Sequence, residues 1–419
     1  MTRIRSTFAV VATCLLMLVP SWVDTSTQAQ GVDVLVGVTQ LIVRIVPAVT
    51  TIGIVNTAAG TTTAATSIGQ VGAYLVNLAP GADVGVTSAL ILALPGVAGV
   101  APNTRVKAPG VDQSRIYAWR IYAWSNQSPV PVASQYALPR VSLPQALQVS
   151  TGRGVTIAVL DTGVQLDPTA HVGLASVLVP GHDFVDGDSI PAETRNGIDD
   201  DGNGLIDEGI GHGTHVAGIV HQAAPQAWIM PVRVLDDDGG GTMWNVAEGM
   251  FWAAQHGAKI INMSLGTHGS AKVLRDAVET VTAQGVLVVA AAGNDGADRP
   301  NFPAAAPLAL AVGSVGPGDI VSTFSNYGRW IDVVAPGEDI HSTYAFPSDS
   351  YAMNSGTSMA TPWVAGEAAL LLARNPSLSP AGITTAIKAG AQSIDVQNPS
   401  LVGSLGAGRV DFAASLRLG

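Results

Sequence analysis

From residue 154 onward, short unbroken apolar runs alternate with helical stretches. The apolar runs lie at 155–160, 229–235, 260–263, 286–292, 308–315 and 331–334, and the helical stretches lie at 214–220, 243–256, 273–284, 359–374 and 380–389. Unbroken apolar strands separated by helices are typical of a parallel sheet covered on both faces. We therefore predict an α/β fold with a mostly parallel central sheet, and we expect its chemistry at the carboxyl ends of the strands.

Three short segments place polar side chains at the ends of these predicted elements. Asp161 ends the first strand within Asp161-Thr-Gly163, His212 lies where a helix begins, and Ser358 lies at the start of another helix. A nucleophilic serine needs a neighbouring imidazole to take its proton, and the imidazole needs a buried carboxylate to hold its tautomer. The sequence supplies all three residue types in places where they can meet.

Each segment also has a simpler interpretation. Aspartic proteases contain Asp-Thr-Gly twice, and one copy alone is more often a turn at the end of a strand. His212 and His215 have a spacing that can serve a metal, but the His-Glu-x-x-His pattern of zinc enzymes is absent. Ser358 can act as a helix cap. Ala360 breaks the Gly-x-Ser-x-Gly pattern, and the chain order differs from that of the α/β-hydrolases, which disfavours an esterase of that fold.

Taken together, the three segments resemble those of the subtilisin-like serine proteases, which have the same chain order of Asp, His and Ser. The resemblance extends from residue 141 to the C-terminus and includes further segments in the family's order, at 231–235, 262–266, 291–294, 324–326 and 334–337. It implies the subtilisin-like three-layer fold. It also implies a serine endopeptidase that works through an acyl-enzyme intermediate.

The resemblance implies a role for each catalytic residue. Ser358 corresponds to the nucleophile, His212 to the general base and then acid, and Asp161 to the group that orients His212. Asn294 corresponds to the side-chain donor to the oxyanion, with the Ser358 backbone N–H as the second donor.

Two further segments correspond to the family's substrate-binding residues. Ser264, Leu265 and Gly266 resemble the edge strand that pairs with the backbone of the bound peptide. Ala291, Ala292 and Gly293 are small, so they would leave room for a sizeable substrate side chain next to the scissile bond.

An acidic insertion at 196–208 departs from the family pattern. Asp199, Asp201 and Asn203 lie at alternate positions and Gly204 follows them, which reproduces the first half of an EF-hand calcium loop. The twelfth position of that loop is Ile210 rather than Glu. We predict a structural Ca²⁺ site, with a solvated acidic loop as the alternative. The predicted ligands are Asp199, Asp201, Asn203, and Asp207 or Glu208 to complete the shell.

The N-terminal segment, residues 1–29, is predicted to be an export signal. Arg3 and Arg5 precede an apolar run at 8–19, and a small-residue cleavage site follows at Ala29. The run is shorter than the ~20 residues that span a bilayer, so we expect secretion rather than a stable membrane anchor. The single cysteine, Cys14, lies in this segment, so neither a disulfide nor a thiol nucleophile is expected in the mature chain.

The rest of the chain divides into three parts. Residues 30–107 have the make-up of a small α+β domain, and 70–106 resemble the family's inhibitory propeptide, with a strand at 72–77 and a helix-to-strand turn at 94–98. Residues 108–135 form a predicted linker that contains the processing site and a tandem repeat at 115–124. Residues 136–419 form the predicted peptidase domain.

Composition narrows the range of partners. The chain has 20 Lys+Arg against 31 Asp+Glu, a formal net charge of −11, and this balance argues against a nucleic-acid binder, which would need a basic stripe to meet phosphates. With 47% hydrophobic and 12% charged residues it is not a disordered chain. We expect protein or peptide substrates, the propeptide as an intramolecular inhibitor, no organic cofactor and a monomer. The alternatives are an inactive binding module on the same fold, and an esterase or peptide ligase that uses the same triad.

Overall fold

The computed structural model describes residues 39–46, 52–61, 66–69, 72–107, 132–269, 271–346 and 350–419. The chain from Thr39 to Gly419 forms one compact unit. The predicted signal peptide, the tandem repeat and most of the predicted linker lie outside the described residues.

The N-terminal part is a small α+β domain. Its antiparallel sheet has the strand order β2-β3-β1-β4. Alternate residues of β1 (Leu41, Val43 and Ile45) are buried with Val55 and Ile91 of the two helices. The elements are β1 (Gln40–Ile45), α1 (Ile52–Ala58), β2 (Thr66–Ile68), β3 (Ala73–Asn77), α2 (Val84–Leu92), β4 (Val97–Pro102) and, outside this sheet, β5 (Arg105–Lys107).

A seven-stranded sheet forms the centre of the larger part, and every pairing in it is parallel. Its strand order is β13-β12-β11-β10-β6-β8-β7. These strands are β6 (Thr156–Asp161), β7 (His182–Asp183), β8 (Trp228–Arg233), β10 (Ile260–Met263), β11 (Leu287–Ala291), β12 (Ala309–Val315) and β13 (Val333–Pro336). Three short strands lie outside the sheet: β9 (Gly240–Thr242), β14 (Ile340–Tyr344) and β15 (Ser350–Asn354).

Helices cover both faces of this sheet and make a three-layer α/β fold, which confirms the predicted fold class. Along β6, Ile157 and Val159 face one hydrophobic cluster, and Ala158 and Leu160 face the other. The helices are α3 (Ala137–Arg140), α4 (Leu143–Ala146), α5 (Val172–Ala175), α6 (His212–Ala223), α7 (Met243–Gln255), α8 (Lys272–Ala283), α9 (Thr357–Arg374), α10 (Pro380–Gly390) and α11 (Phe412–Leu418). Helices α6, α9, α10 and α11 pack on one face, and α7 and α8 pack on the other.

The N-terminal domain packs against the second of these helical layers. Ile42, Ile68 and Ala73 belong to the same buried cluster as residues of α7 and α8. An ion pair of 2.9 Å joins Arg44 to Asp276 of α8. The sheet of the small domain is therefore buried on one face by its own helices and on the other by the larger domain.

The folded part of the larger domain reaches back into the predicted linker. A 3₁₀ turn covers Val132–Ser134, and Gln135 is buried, with its amide donating to the His341 carbonyl at 3.1 Å. The return bond, from the His341 N–H to the Gln135 side-chain oxygen, is 3.2 Å long. Residues 132–135 are thus fixed to the body of the domain.

Candidate active site

Asp161 is the last residue of β6 and lies at the carboxyl edge of the sheet, where the sequence predicted functional residues. Its side chain is buried, and its Oδ1 accepts the Thr162 N–H at 2.8 Å. The same oxygen lies 2.6 Å from Nδ1 of His212. A carboxylate acceptor at this nitrogen favours the Nδ1–H tautomer, which makes Nε2 the basic nitrogen of the ring.

His212 is the first residue of α6, and glycines let this helix end approach β6. Gly211 caps the helix with φ of 87°, in the left-handed region that favours glycine. A Cβ on Gly213 would lie 2.1 Å from the Gly163 carbonyl oxygen. The segment Gly211-His-Gly213 is therefore required for the close contact between His212 and Asp161.

Glu193 completes this part of the site, and sequence reasoning did not identify it. It is buried beneath the start of α6, where one carboxylate oxygen accepts the Gly211 N–H at 3.0 Å and the Gly213 N–H at 3.1 Å. The Thr162 and Thr214 hydroxyls also donate to it. Burial raises the pKa of Glu193 to about 7, against the lowering effect of the two hydroxyls. An isolated glutamate in a loop carries no local motif that could have revealed this role.

Ser358 is the second residue of α9 and is held against Ser264, which directly follows β10. Its hydroxyl donates to the Ser264 carbonyl at 3.3 Å, and the Ser264 hydroxyl donates to the Ser358 carbonyl at 2.9 Å. Ser358 N–H is among the first N–H groups of α9, which have no acceptor within a helix. The positive end of the helix dipole lies at the same place, so this end of α9 favours a negative group.

Helices α6 and α9, which begin with His212 and with the Thr357-Ser358 pair, pack directly on each other further along. Gly366 of α9 faces Ala223 of α6 so closely that a Cβ on Gly366 would lie 2.3 Å from the Ala223 Cβ. This contact helps to set the distance between the helices, and therefore between the two catalytic candidates.

Asn294 lies beside the start of α9. Its side-chain oxygen accepts the Thr357 N–H at 3.0 Å and the Thr357 hydroxyl at 2.8 Å. These bonds fix the amide, and its Nδ2 lies against Gly356, where an added Cβ would be 3.2 Å away. Asn294 is thus held against the two residues that precede Ser358, Gly356 and Thr357.

Asn301, which sequence reasoning also missed, connects the two predicted substrate-binding segments. Its amide donates to the Ala291 carbonyl at 3.3 Å. A Cβ on Gly266 would lie 2.0 Å from the Asn301 Nδ2, and a Cβ on Gly293 would lie 3.3 Å from it. The structure therefore brings together the two groups of predicted residues, which are Ser264, Leu265 and Gly266, and Ala291, Ala292 and Gly293.

His215 takes no part in this arrangement. Its Nε2 lies 3.1 Å from the Ile340 carbonyl and 3.2 Å from the Ala352 carbonyl, whereas His212 faces Asp161. Burial lowers the pKa of His215 to about 3, so the ring is neutral. The two imidazoles have different partners, and their spacing does not form a shared metal site.

The acidic insertion supplies two members of a carboxylate cluster. Ligand oxygens of Asp199, Asp201 and Asp238 lie within 4.8 Å of one another. Asp238 is fully buried and was not predicted; its carboxylate accepts the Asp207 N–H at 2.7 Å and the Asp200 N–H. Three carboxylates at this separation repel one another, and a hard cation that prefers oxygen ligands would relieve that repulsion.

The other predicted ligands have different contacts. Asn203 donates through its side-chain amide to Glu208, and its side-chain oxygen accepts the Leu205 N–H at 2.8 Å. Asp207 accepts the Gly197 N–H at 3.2 Å. These bonds shape the loop around the cluster, so the fit to a cation rests on Asp199, Asp201 and Asp238.

Comparison with known proteins shows the family of this chain. The model of the subtilase family, peptidase S8, matches residues 152–408. The chain is 43% identical to thermitase of Thermoactinomyces vulgaris over 266 residues, which are 61% of this chain and 88% of thermitase. It is 38% identical to subtilisin BL of Lederbergia lenta over 292 residues, 67% of this chain and 98% of that protein.

Two solved structures resemble the chain along most or much of its length. Fervidolysin of Fervidobacterium pennivorans, described as a keratinolytic enzyme related to subtilisin, has a TM-score of 0.71 and 24% identity, covering 90% of this chain and 61% of that one. At this identity the likeness shows the fold alone. A protease of Pseudoalteromonas arctica has a TM-score of 0.58 and 33% identity, covering 66% of this chain and 94% of that one.

Proposed function

The chain belongs to the subtilase family of serine endopeptidases, and on that premise we propose that Asp161, His212 and Ser358 form its catalytic triad, in a precursor that processes itself. The observation that carries the proposal is the buried contact of 2.6 Å between Asp161 Oδ1 and His212 Nδ1 at the carboxyl edge of the sheet. Protein and peptide chains are the substrates.

The reaction proceeds in two halves. The Ser358 hydroxyl attacks the scissile carbonyl while His212 Nε2 takes its proton, and Asp161 stabilises the resulting imidazolium without being protonated. The imidazolium then gives the proton to the leaving amine, which leaves an acyl group on Ser358. Water attacks this ester with His212 again acting as base, and the acid product leaves as Ser358 regains its proton.

The Asn294 side-chain amide and the Ser358 N–H are the proposed donors to the oxyanion. Thr357 holds the Asn294 side-chain oxygen through two hydrogen bonds. This supports the role, because the amide then needs no reorganisation when negative charge develops on the substrate oxygen. Removing one such donor costs on the order of 10²–10³-fold in kcat, a magnitude that comes from a related subtilisin.

The bound peptide would contact two segments, which Asn301 connects. Ser264, Leu265 and Gly266 would pair with its backbone as an added strand. Ala291, Ala292 and Gly293 would face the side chain next to the scissile bond.

Residues 30–107 are the proposed inhibitory propeptide. Two features support this role: β5 pairs antiparallel with β9 near the triad, and the Thr104 carbonyl accepts the Met243 N–H at 3.1 Å at the start of α7. Asn103 also accepts the Trp244 N–H at 3.3 Å. These contacts cap a helix of the peptidase domain and occupy a strand that a substrate could use. Self-cleavage within 107–135 would release them.

We also propose a structural Ca²⁺ ion at Asp199, Asp201 and Asp238, and export directed by residues 1–29. The ion would hold the acidic insertion in place and take no part in the reaction. Among the described residues, no helix is long and apolar enough to cross a membrane. We propose that the mature enzyme acts as a secreted monomer.

Fluorophosphonate labelling of the expressed full chain, with peptide mapping and intact mass, tests the triad and the processing together. We expect label on Ser358 in a species that has lost the first ~110–135 residues, and no label on the Ser358→Ala chain. His212→Ala should also abolish labelling. A processed species that takes no label would show that the triad is not assembled and would favour a binding module.

Turnover of matched peptide and ester substrates, with and without amine acceptors, distinguishes a peptidase from an esterase or ligase.

A further inference from the structure

A strand of the N-terminal domain lies along a strand that leads back to the catalytic aspartate. Arg105 pairs with Thr242, Val106 with Gly241 and Lys107 with Gly240, in antiparallel register. Gly241 in turn bridges to Leu235, whose N–H donates to the Asp161 carbonyl at 3.2 Å. An extended peptide on β9 is therefore only two strands away from Asp161.

The guanidinium of Arg105 occupies a defined place beside β9. Its Nη2 donates to Asp236 Oδ2 at 2.8 Å, and its Nη1 donates to the Asp200 carbonyl at 3.1 Å. The other Asp236 oxygen accepts the Gly240 N–H at 2.7 Å, which holds the carboxylate in the orientation that faces Arg105. One carboxylate and one carbonyl, held by two different loops, thus meet the two arms of a single guanidinium.

Gly240 provides the space for this side chain. A Cβ on Gly240 would lie 2.4 Å from the Arg105 Nη2 and 3.2 Å from the Asp236 Oδ1. The backbone of Gly240 has no positive φ, in contrast to its neighbour Gly239 at 73°. The glycine at 240 is therefore explained by the side chain that lies against it rather than by the backbone.

We propose that Asp236, the Asp200 carbonyl and Gly240 form a substrate subsite that selects an arginine in the extended segment pairing with β9, and that Arg105 fills this subsite in the precursor. The inference rests on the proposed function, because it names a preference of the same substrate-binding site. The substrates it favours are proteins with a basic residue on the N-terminal side of the cleaved bond.

The geometry distinguishes arginine from other residues. Two diverging N–H groups are needed to reach Asp236 and the Asp200 carbonyl together, and a lysine ammonium presents a point charge on a flexible stem. The order of preference should be Arg, then Lys, then Gln. Since the Arg105 side chain is 43% exposed and that of Asp236 is 18% exposed, the gain is limited by solvent and should fall as salt is raised.

The preference is tested by measuring kcat/KM on fluorogenic decapeptides. The parent peptide is neutral, and in each variant a single Arg replaces one residue on the N-terminal side of the scissile bond. For the processed wild type, one position should raise kcat/KM about five- to tenfold over Gln. In Asp236→Asn, and in the charge-neutral Gly240→Ala, the Arg-to-Gln ratio should fall below about two. Asp395→Asn, which removes an exposed carboxylate elsewhere, should keep the wild-type ratio and serves as the matched control.

Hydrogen exchange on the full Ser358→Ala chain tests the same contact without catalysis. Asp236→Asn in that background should speed exchange of the amides at 105–107 about two- to fivefold, and Asp395→Asn should not. If wild type cleaves neutral peptides but Arg gives no gain at any position, the subsite proposal is wrong and the proposed function stands. If no peptide is cleaved and no fluorophosphonate label is taken, the proposed function is wrong. If Asp236→Asn leaves the exchange at 105–107 unchanged, the proposed role of the Arg105–Asp236 contact is wrong, whatever the kinetics show.

Discussion

Replacing Glu367 by glutamine should remove one large contribution to the pH dependence of this protein's stability. Glu367 lies in the middle of α9 and is fully buried, near Ser415 and Asp411 at the start of α11. Burial raises its pKa from 4.5 to about 8, and the Asp411 charge acts in the same direction. The carboxyl group is therefore protonated in the folded chain at neutral pH.

The sign follows from proton binding. Between pH 4.5 and 8 the unfolded chain has lost this proton and the folded chain still holds it, so the free energy of unfolding falls as pH rises through that window. At ~1.4 kcal/mol per pKa unit, the loss is on the order of 3 kcal/mol by pH 7 and 4–5 kcal/mol by pH 8. Glutamine has a similar shape and no titrating group, so Glu367→Gln should be about neutral at pH 4.5 and stabilising by these amounts above it.

Urea unfolding of the full chain at pH 5, 6, 7 and 8 measures this difference, with Ser358→Ala in both chains to prevent autolysis. Glu279→Gln, at an exposed position of α8, is the matched control and should change little at any pH. The midpoint of the Glu367→Gln chain should move away from that of its parent as pH increases. A constant separation from pH 5 to pH 8 would refute the argument, because it would show that Glu367 does not hold its proton in the fold.

Three further changes probe the contacts around the site, each in the Ser358→Ala chain. Gly366→Ala should cost about 1–3 kcal/mol of stability, because its Cβ would overlap Ala223 across the α6–α9 contact; an unchanged urea midpoint would show that the two helices can separate freely. Glu193→Ala should cost about 2–4 kcal/mol, since two N–H groups and two hydroxyls lose a buried acceptor, and Glu193→Gln should cost less; equal losses would contradict this. EDTA should lower the melting temperature, calcium should restore it, and Asp238→Asn should abolish the response; a melting temperature indifferent to both additions would exclude the calcium site.

The parallel sheet could be predicted because its strands are buried on both faces. A strand between two helical layers is apolar at most of its positions, so it stands out as an apolar run whatever the rest of the fold. The run at 260–263 coincides with β10. The helix predicted at 214–220 begins earlier, at His212, because the left-handed Gly211 can cap it and the chain can turn there.

The candidate triad could be predicted for a different reason, namely that each of its residues lies in a short local motif. Glu193 and Asn301 could not, because each acts through groups that lie far away in the sequence or belong to the backbone. Asp238 was missed because its partners in the acidic insertion lie 37 or more positions earlier in the chain. The fold brings them together in the loop that follows β8. Long-range pairing of this kind leaves no periodic pattern in the chain.

The three successive carboxylates of the run Asp236–Asp238, beside the candidate active site, have three different sets of partners. Arg233 is buried and binds Asp237 at 2.9 Å, and this pair belongs to the peptidase domain itself. Asp238 faces the acidic insertion and receives two N–H groups from it. Asp236 alone is paired with a residue of the N-terminal domain, Arg105. If that domain is removed on maturation, Asp236 is the carboxylate that loses its cation, and the peptide that next pairs with β9 is in position to supply another.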